Sequence, residues 1–379
     1  MLQYAQIGPE KMTTDRPIAS FLVRVYNGEA YLAEAIESAL GQTEKNIEVV
    51  VVDDGSTDSS RAILRRFALQ DERVRVFEEE HKGLVYPLNL GLQVARAKYV
   101  CILDADDIAM PDRVEKQVAF LDAHEDYVLV GGQVILIGRT GEQIGERDLP
   151  ISHTQAEAAL RSSCCFTHSA VMFRRAEVIS AGGYDPMFTT GAEDYDLYVR
   201  LATTFRIGNL PDVVCRYRMY GDQISFSGVL KQAFTAMCAR AAFLGASRKT
   251  ILESVQAEEK NYLPTLRRLG FGDDEIADGM FGRYIYGVGR LRSVGRREIA
   301  LKLLSELTQH LLEWKCSPAY LARVYRLEVL VSLDTRNYMR AARYLLQALA
   351  SAPGETSRHL LRKLLTPFSG NRKRVQTVY

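Results

Sequence analysis

Lys98-Tyr-Val-Cys-Ile-Leu-Asp-Ala-Asp-Asp107 is the stretch on which the reading of the whole chain turns. From Tyr99 to Leu103 the run is almost continuously apolar, the pattern of a strand buried on both faces of a parallel sheet. It ends in Asp104, Asp106 and Asp107. Three carboxylates at the end of a buried strand repel one another and need a counter-charge, and a hard divalent cation is the usual one. Asp104 and Asp106 stand two apart, so an extended backbone aims both side chains to one side. Mg²⁺ or Mn²⁺ held by one or two carboxylates keeps coordination positions for substrate phosphates. The competing reading is a solvated acidic turn that caps the next helix, a role that suits Asp107 in particular.

Upstream, apolar strands at 18–25, 47–52 and 74–77 alternate with helical patterns of about twelve residues, which indicates a doubly wound, mostly parallel α/β sheet. Asn27 is a good N-cap for the first helix, one face of which carries Tyr31, Leu32, Ala35, Ile36, Ala39 and Leu40. In such sheets ligands sit outside the carboxyl ends of the strands. Tyr26-Asn27, Asp53-Asp54 and the Asp104 cluster all fall there, which argues for one shared site.

Downstream, 127–137 reads as a strand, 142–153 as a polar loop over the site, and 166–173 as a strand buried on one face. His168 is either a site residue or a hydrogen-bonded core histidine. In the helix from Gly191 to Leu201, Asp194 shares the inward face of Leu197, Tyr198 and Leu201, whereas Asp196 is set for an i,i+4 pair with Arg200. After about residue 226 only helical patterns remain. This divides the chain into an arm (1–16), an α/β domain that carries the shared site (17–225), a helical domain (226–366) and a basic tail (367–379).

The chain has 379 residues, 47% hydrophobic and 25% charged, with a net charge of +1, which argues against general nucleic-acid binding. Six cysteines without paired spacing read as reduced thiols. With no leader-like start and no run of about eighteen apolar residues, a cytoplasmic chain is expected. Around the tail, Arg358, Arg362, Lys363, Arg372, Lys373 and Arg374 face one acid, Glu355. That suits peripheral contact with an anionic membrane at the inner face of the plasma membrane, or simply a solvated basic tail.

Val25-Tyr-Asn-Gly28, Val51-Val-Asp-Asp-Gly-Ser-Thr-Asp58, Leu103-Asp-Ala-Asp-Asp107, Gly182-Gly-Tyr-Asp185 and Glu193-Asp-Tyr-Asp196 follow one another here in the order seen in family 2 glycosyltransferases. The resemblance covers roughly residues 17–225. It implies a GT-A fold, Rossmann-like, followed by an all-α C-terminal region. It also implies a nucleotide-diphospho-sugar donor, usually a UDP-sugar, Mn²⁺ or Mg²⁺, and inversion at the sugar carbon. By position, Asp54 resembles the aspartate that binds the nucleotide base, and Tyr26 and Asn27 look like part of the nucleoside wall. Asp104 and Asp106 match the DxD motif that holds ribose and, through metal, diphosphate. Asp194 matches the general base, and Glu193 its acidic neighbour near the acceptor. Relatives build polysaccharide, lipopolysaccharide and glycolipid of the bacterial cell envelope, so a glycan or lipid-linked acceptor is implied. Two departures stand out: Arg24 replaces a common proline, and Tyr220 stands where histidine is frequent. Arg218 is then the candidate for diphosphate assistance, with His168 and Asp107 as further diphosphate or acceptor contacts. A nucleotidyltransferase would need a Gly-rich phosphate loop after the first strand, where only Gly28 stands. A sugar-nucleotide-binding scaffold without transferase activity has no need of the full carboxylate set.

Overall fold

The computed structural model describes residues 16–220, 228–293, 297–314 and 318–351. Strands and helices alternate at the start. β1 (Ala19–Val25), β2 (Ile47–Asp54), β3 (Val74–Glu79) and β4 (Tyr99–Ile102) are separated by α1 (Leu32–Leu40), α2 (Ser60–Gln70) and α3 (Val85–Val94). These strands lie parallel in the spatial order β3-β2-β1-β4. The chain therefore winds outward from β1 to β3 and then crosses back to set β4 on the other side of β1. That reversal leaves a crevice outside the carboxyl ends of β1 and β4, where doubly wound sheets bind their ligands.

The second half of the sheet is mixed. It uses β5 (Ile108–Ala109), α4 (Arg113–Ala123), β6 (Tyr127–Ile137), β7 (Gln143–Arg147), α5 (His153–Leu160), β8 (Met172–Arg174), α6 (Arg175–Ser180), α7 (Glu193–Ala202) and β9 (Arg206–Arg218). The nine-stranded sheet runs β3-β2-β1-β4-β8-β6-β9-β5, with β7 on β6. β8 lies antiparallel to both β4 and β6, while β6 and β9 are parallel.

Alternation along β1 assigns its two faces. Phe21, Val23 and Val25 pack with Ile36, Leu64 and Phe67 in one core. Leu22 points to the other core, with Leu88 and Leu92 of α3. That second core runs on without interruption through Tyr198 and Phe234 to Phe281, Leu311 and Val331. It thereby joins the sheet to α8 (Val229–Arg240), α9 (Arg248–Val255), α10 (Tyr262–Arg268), α11 (Asp273–Ser293), α12 (Arg297–Glu313), α13 (Pro318–Asp334) and α14 (Tyr338–Ser351). Among the described residues no helix is long and apolar enough to cross a membrane. The described cysteines are free, and the basic tail 367–379 lies outside the described residues.

Three local expectations are corrected. Asn27 does not cap α1: it sits at φ 54°, and α1 begins at Leu32 after Tyr31. The stretch 142–153 is not a loop throughout, because Gln143–Arg147 pairs antiparallel with β6. The apolar alternation of 166–173 is interrupted by a tight helical turn at His168–Ala170, and only Met172–Arg174 pairs as a strand. Backbone hydrogen bonds inside that turn outcompete the strand that the alternation favours.

Candidate active site

A cavity of about 1150 Å³ opens at the carboxyl ends of β1, β2 and β4. Asp54, Asp104, Asp106 and Asp194 all line it, as do Tyr26, Asn27, Glu193 and His168. Residues separated by up to 168 positions thus meet at one rim of the sheet because each closes a strand or opens a helix there.

On one wall, Asp54 ends β2 and is buried. Its Oδ1 accepts from the Lys82 backbone N–H at 2.7 Å and its Oδ2 from that of Gly83 at 3.0 Å. His81 Nδ1 lies 2.8 Å from the same Oδ2. The imidazole stacks on Tyr26, with centroids 4.2 Å apart. Asn27, rather than capping a helix, turns its Oδ1 to the Thr57 N–H at 2.8 Å, and its own N–H donates to Ser56 Oγ at 2.9 Å. These bonds lock the β1 and β2 ends together. The neighbouring Asp53 is committed to Arg61 at 2.7 Å and is structural.

At the end of β4, the Asp104 N–H donates to Ser169 Oγ at 2.9 Å. Below it lies fully buried Arg113, whose guanidinium donates to the carbonyls of Ser169 (2.6 Å), Ile102 (3.0 Å) and Val171 (2.8 Å). Arg113 therefore staples the DxD strand to the turn that carries His168. The Asp104 carboxylate faces Arg24 Nε at 3.6 Å and His168 Nδ1 at 3.7 Å. Burial raises its pKa, but His168 and Arg24 outweigh that and hold it well below the ordinary carboxylate range. His168 is a buried, hydrogen-bonded histidine, its Nε2 3.0 Å from the Tyr184 hydroxyl, and it also lines the cavity. Burial and the Asp194 charge push that phenol up, so it keeps its proton.

Two expected contacts are turned away from the cavity. Arg218 is 1% exposed and donates to the carbonyls of Asp106 and Gly138 and to Glu34. Its fork braces the turn after β4 from beneath, because β9 delivers it to the inner face of the sheet. Asp107 is 1% exposed as well, and its Oδ1 accepts the Arg218 N–H at 2.7 Å. Burial and the adjacent Asp106 and Asp104 charges raise its pKa well above the usual value. Tyr220, the departure from histidine, instead reaches the motif itself: its hydroxyl donates to Asp106 Oδ2 at 3.0 Å.

Among the described residues, no three His, Cys, Asp or Glu side chains converge as a metal cage. Asp104 and Asp106 are nevertheless hard oxygen donors, half-buried and together on the cavity wall. That donor set fits Mg²⁺ or Mn²⁺, which bind one or two carboxylates and complete their shell with water and substrate phosphate.

The opposite wall is the start of α7. Asp194 is half-buried, and its Oδ1 accepts the Tyr195 N–H at 2.7 Å. Glu193 is buried and accepts from Arg24 Nη1 at 3.0 Å. Asp196 bonds Arg200 at 2.9 Å and also Arg248, so it anchors α7 to α9. Beyond Asp194 the cavity runs between α8 and α11, past Gln232, Ala236, Met237, Gly279 and Gly282. Cys164 also faces it, close enough for the Asp194 charge to add to burial in raising the thiol pKa. Sequence reasoning missed the Tyr26–His81 stack, the bond from Tyr220 to Asp106 and the helical wall. His81 gave a faint signal as a ring beside Gly83 in a loop, whereas the helical wall gave none.

Residues 20–181, from β1 through α6, match the family described as glycosyl transferase family 2. The chain is 35% identical over 210 residues to the amylovoran biosynthesis glycosyltransferase AmsE of Erwinia amylovora, covering 54% of this chain and 78% of that one. It is 33% identical over 210 residues to the putative glycosyltransferase EpsE of Bacillus subtilis, covering 54% and 74%. Among solved structures, S. aureus TarS 1-349 in complex with UDP-GlcNAc aligns over 90% of this chain and 91% of that one, at 19% identity and a TM-score of 0.49. The matched residues bring with them both acidic strand ends of the cavity, Asp54 and the Asp104 cluster. With identity above 30% across most of such relatives, this chain belongs to the family 2 glycosyltransferases.

Proposed function

We propose that this glycosyltransferase moves a sugar, with inversion, from a nucleotide-diphospho-sugar to an acceptor hydroxyl. The observation that carries the reading is the convergence of Asp54, Asp104, Asp106 and Asp194 on one cavity outside the β1–β4 switch point. Asp54 and the Tyr26–His81 stack form the nucleoside end, for which a UDP-sugar is the favoured donor. Asp104 and Asp106 form the diphosphate end and would hold Mn²⁺ or Mg²⁺. The cation, when bound, supplies positive charge for the departing nucleoside diphosphate.

This chain's own residues do the rest. Asp194 takes the proton of the acceptor hydroxyl as its oxygen bonds to the anomeric carbon and the bond to the diphosphate breaks on the opposite face. A positioned base of this kind contributes about 10²–10⁴-fold. The Tyr195 N–H holds that carboxylate at the cavity edge. Glu193, its acidic neighbour, stays in the wall through Arg24. The acceptor enters from the side of α8 and α11 and is a glycan or lipid-linked hydroxyl of cell-envelope polysaccharide synthesis, which matches the work named for AmsE. The basic tail, 367–379, is proposed to rest on an anionic membrane face.

Incubating the protein with a panel of labelled UDP- and GDP-sugars and Mn²⁺ tests this. Slow, metal-dependent donor hydrolysis is expected, abolished by Asp106→Ala. Binding without hydrolysis for every donor would defeat the reading.

A further inference from the structure

Arg24, the residue that stands in place of a common proline, lines the cavity as a cation. It is the penultimate residue of β1, on the same face as Leu22, whose other neighbours are apolar. Its side chain is only 20% exposed. Three separate segments meet on its guanidinium. Nη1 donates to the Leu84 carbonyl before α3 at 3.0 Å and to Glu193 Oε1 at the start of α7 at 3.0 Å. Nε stands 3.6 Å from Asp104 Oδ1 at the end of β4.

The start of α7 is tied to its surroundings by Asp196, which bonds Arg248 of α9, and by the Thr235 hydroxyl on the Gly191 carbonyl, but on the cavity side Arg24 is the cation that bonds Glu193. Its N-cap is Ala192 in the left-handed region, φ 66°, and no side chain caps the helix. Glu193, Asp194 and Asp196 crowd its first turn. A fixed cation that bonds Glu193 fixes the adjacent Asp194, and the same cation faces the carboxylate proposed for the donor phosphates.

On the reading given under Proposed function, we infer that Arg24 is a positioning residue that ties the donor carboxylate Asp104 to the first turn of α7, and so sets where Asp194 meets the sugar. The link is planar and forked, which guanidinium provides and a proline or methionine does not. It also means that Arg24 and a divalent cation share Asp104. Losing Arg24 loosens the base while making Asp104 more available to metal.

The test compares wild type, Arg24→Met, Arg24→Lys, Glu193→Gln and Arg24→Met/Glu193→Gln. Mn²⁺ and donor affinities are read by calorimetry, donor hydrolysis by rate, and folding by melting temperature. Arg24→Met is expected to bind Mn²⁺ about three- to tenfold more tightly, because a nearby positive charge is gone. Its kcat falls about 10- to 100-fold with the donor KM little changed, as for a misplaced catalytic group. Arg24→Lys keeps wild-type Mn²⁺ affinity and recovers part of kcat. Adding Glu193→Gln to Arg24→Met costs less than about threefold more, since both act through one link. Wild-type kcat in Arg24→Met, weaker Mn²⁺ binding together with a lost fold in both Arg24 variants, or effects that multiply in the double variant would overturn the inference while leaving the donor reading intact. A wild-type protein that binds neither Mn²⁺ nor donor would overturn both.

Discussion

The two walls of the cavity are built differently. The wall of strand ends is rigid and saturated with hydrogen bonds. Asp54 accepts two backbone N–H groups, Asn27 bridges two loops, and Arg113 ties three carbonyls beneath the DxD turn. The wall of helices interleaves polar side chains, among them Lys231, Gln232, Arg240 and Asp278, with small residues. Gly191, Ala192, Ala236, Gly279 and Gly282 line it, and a Cβ added at Gly282 would meet nothing within 4 Å. A preorganised wall suits a ligand whose parts never change, such as a nucleoside diphosphate. A wall with small residues between its polar ones leaves room to be filled differently by different acceptors.

The sharpest way to break this contrast is at Asp194, the base proposed for the helical wall. Asp194→Asn is expected to cut transfer by about 10²–10⁴-fold, or about 3–5 kcal/mol, while donor affinity stays within about twofold. Rates of donor turnover beside calorimetric donor binding check it. Near-normal turnover would remove Asp194 from the chemistry and leave the helical wall without a catalytic group.

The rigidity of the other wall is tested from below. Arg113→Met strips the donor from three buried carbonyls, a loss of about 2–4 kcal/mol of folding stability. Urea unfolding measures this, and Mn²⁺ affinity should fall with it as the DxD turn loosens. A loss under about 1 kcal/mol would mean that the β4 end holds its shape without the staple.

The same contrast explains what could be read before any coordinates. Strand ends announce themselves, because an apolar run that stops in carboxylates has few meanings. That Asp54, Asp104 and Asp106 would stand at one rim of the sheet was therefore legible, and the parallel, doubly wound arrangement of β1 to β4 followed from the alternation of periods. Asp194 was legible because a carboxylate on the inward face of a helix is costly without a partner or a task. Arg218 and Asp107 were misplaced because the sequence does not show which side of the sheet β9 presents to the turn. Buried, they brace one another through a bond across 111 positions. The 166–173 stretch misled because alternation is a statement about faces, and a tight turn can satisfy it over a few residues. The helical wall was silent because its polar residues, Lys231, Gln232, Arg240 and Asp278, stand in helical patterns with no strand end to mark them, and its glycines and alanines carry no chemistry to recognise.

A smaller effect is expected at Asp54. Asp54→Ala deletes the acceptor of the Lys82 and Gly83 N–H groups and frees the loop that carries His81. Nucleoside diphosphate affinity should weaken about 10- to 100-fold, or about 1–3 kcal/mol, with turnover at saturating donor largely kept. Calorimetry with UDP reads this directly, and unchanged UDP affinity would take the nucleoside end away from this wall.

The smallest effect probes the helical wall itself. Gly282 lies inside α11, away from the left-handed region, and faces the cavity. Because an added methyl group meets no atom within 4 Å, Gly282→Ala carries no clash. Alanine loses less backbone freedom on folding than glycine, so the helix should gain about 0.5–1 kcal/mol. Melting temperature should rise slightly, and donor KM and hydrolysis should not move, since the strand-end wall is untouched. Only the acceptor KM should change, because the methyl group narrows the passage between α8 and α11. A shift in donor affinity would show that the donor extends onto the helices, and the two walls would then be one site with no division of labour.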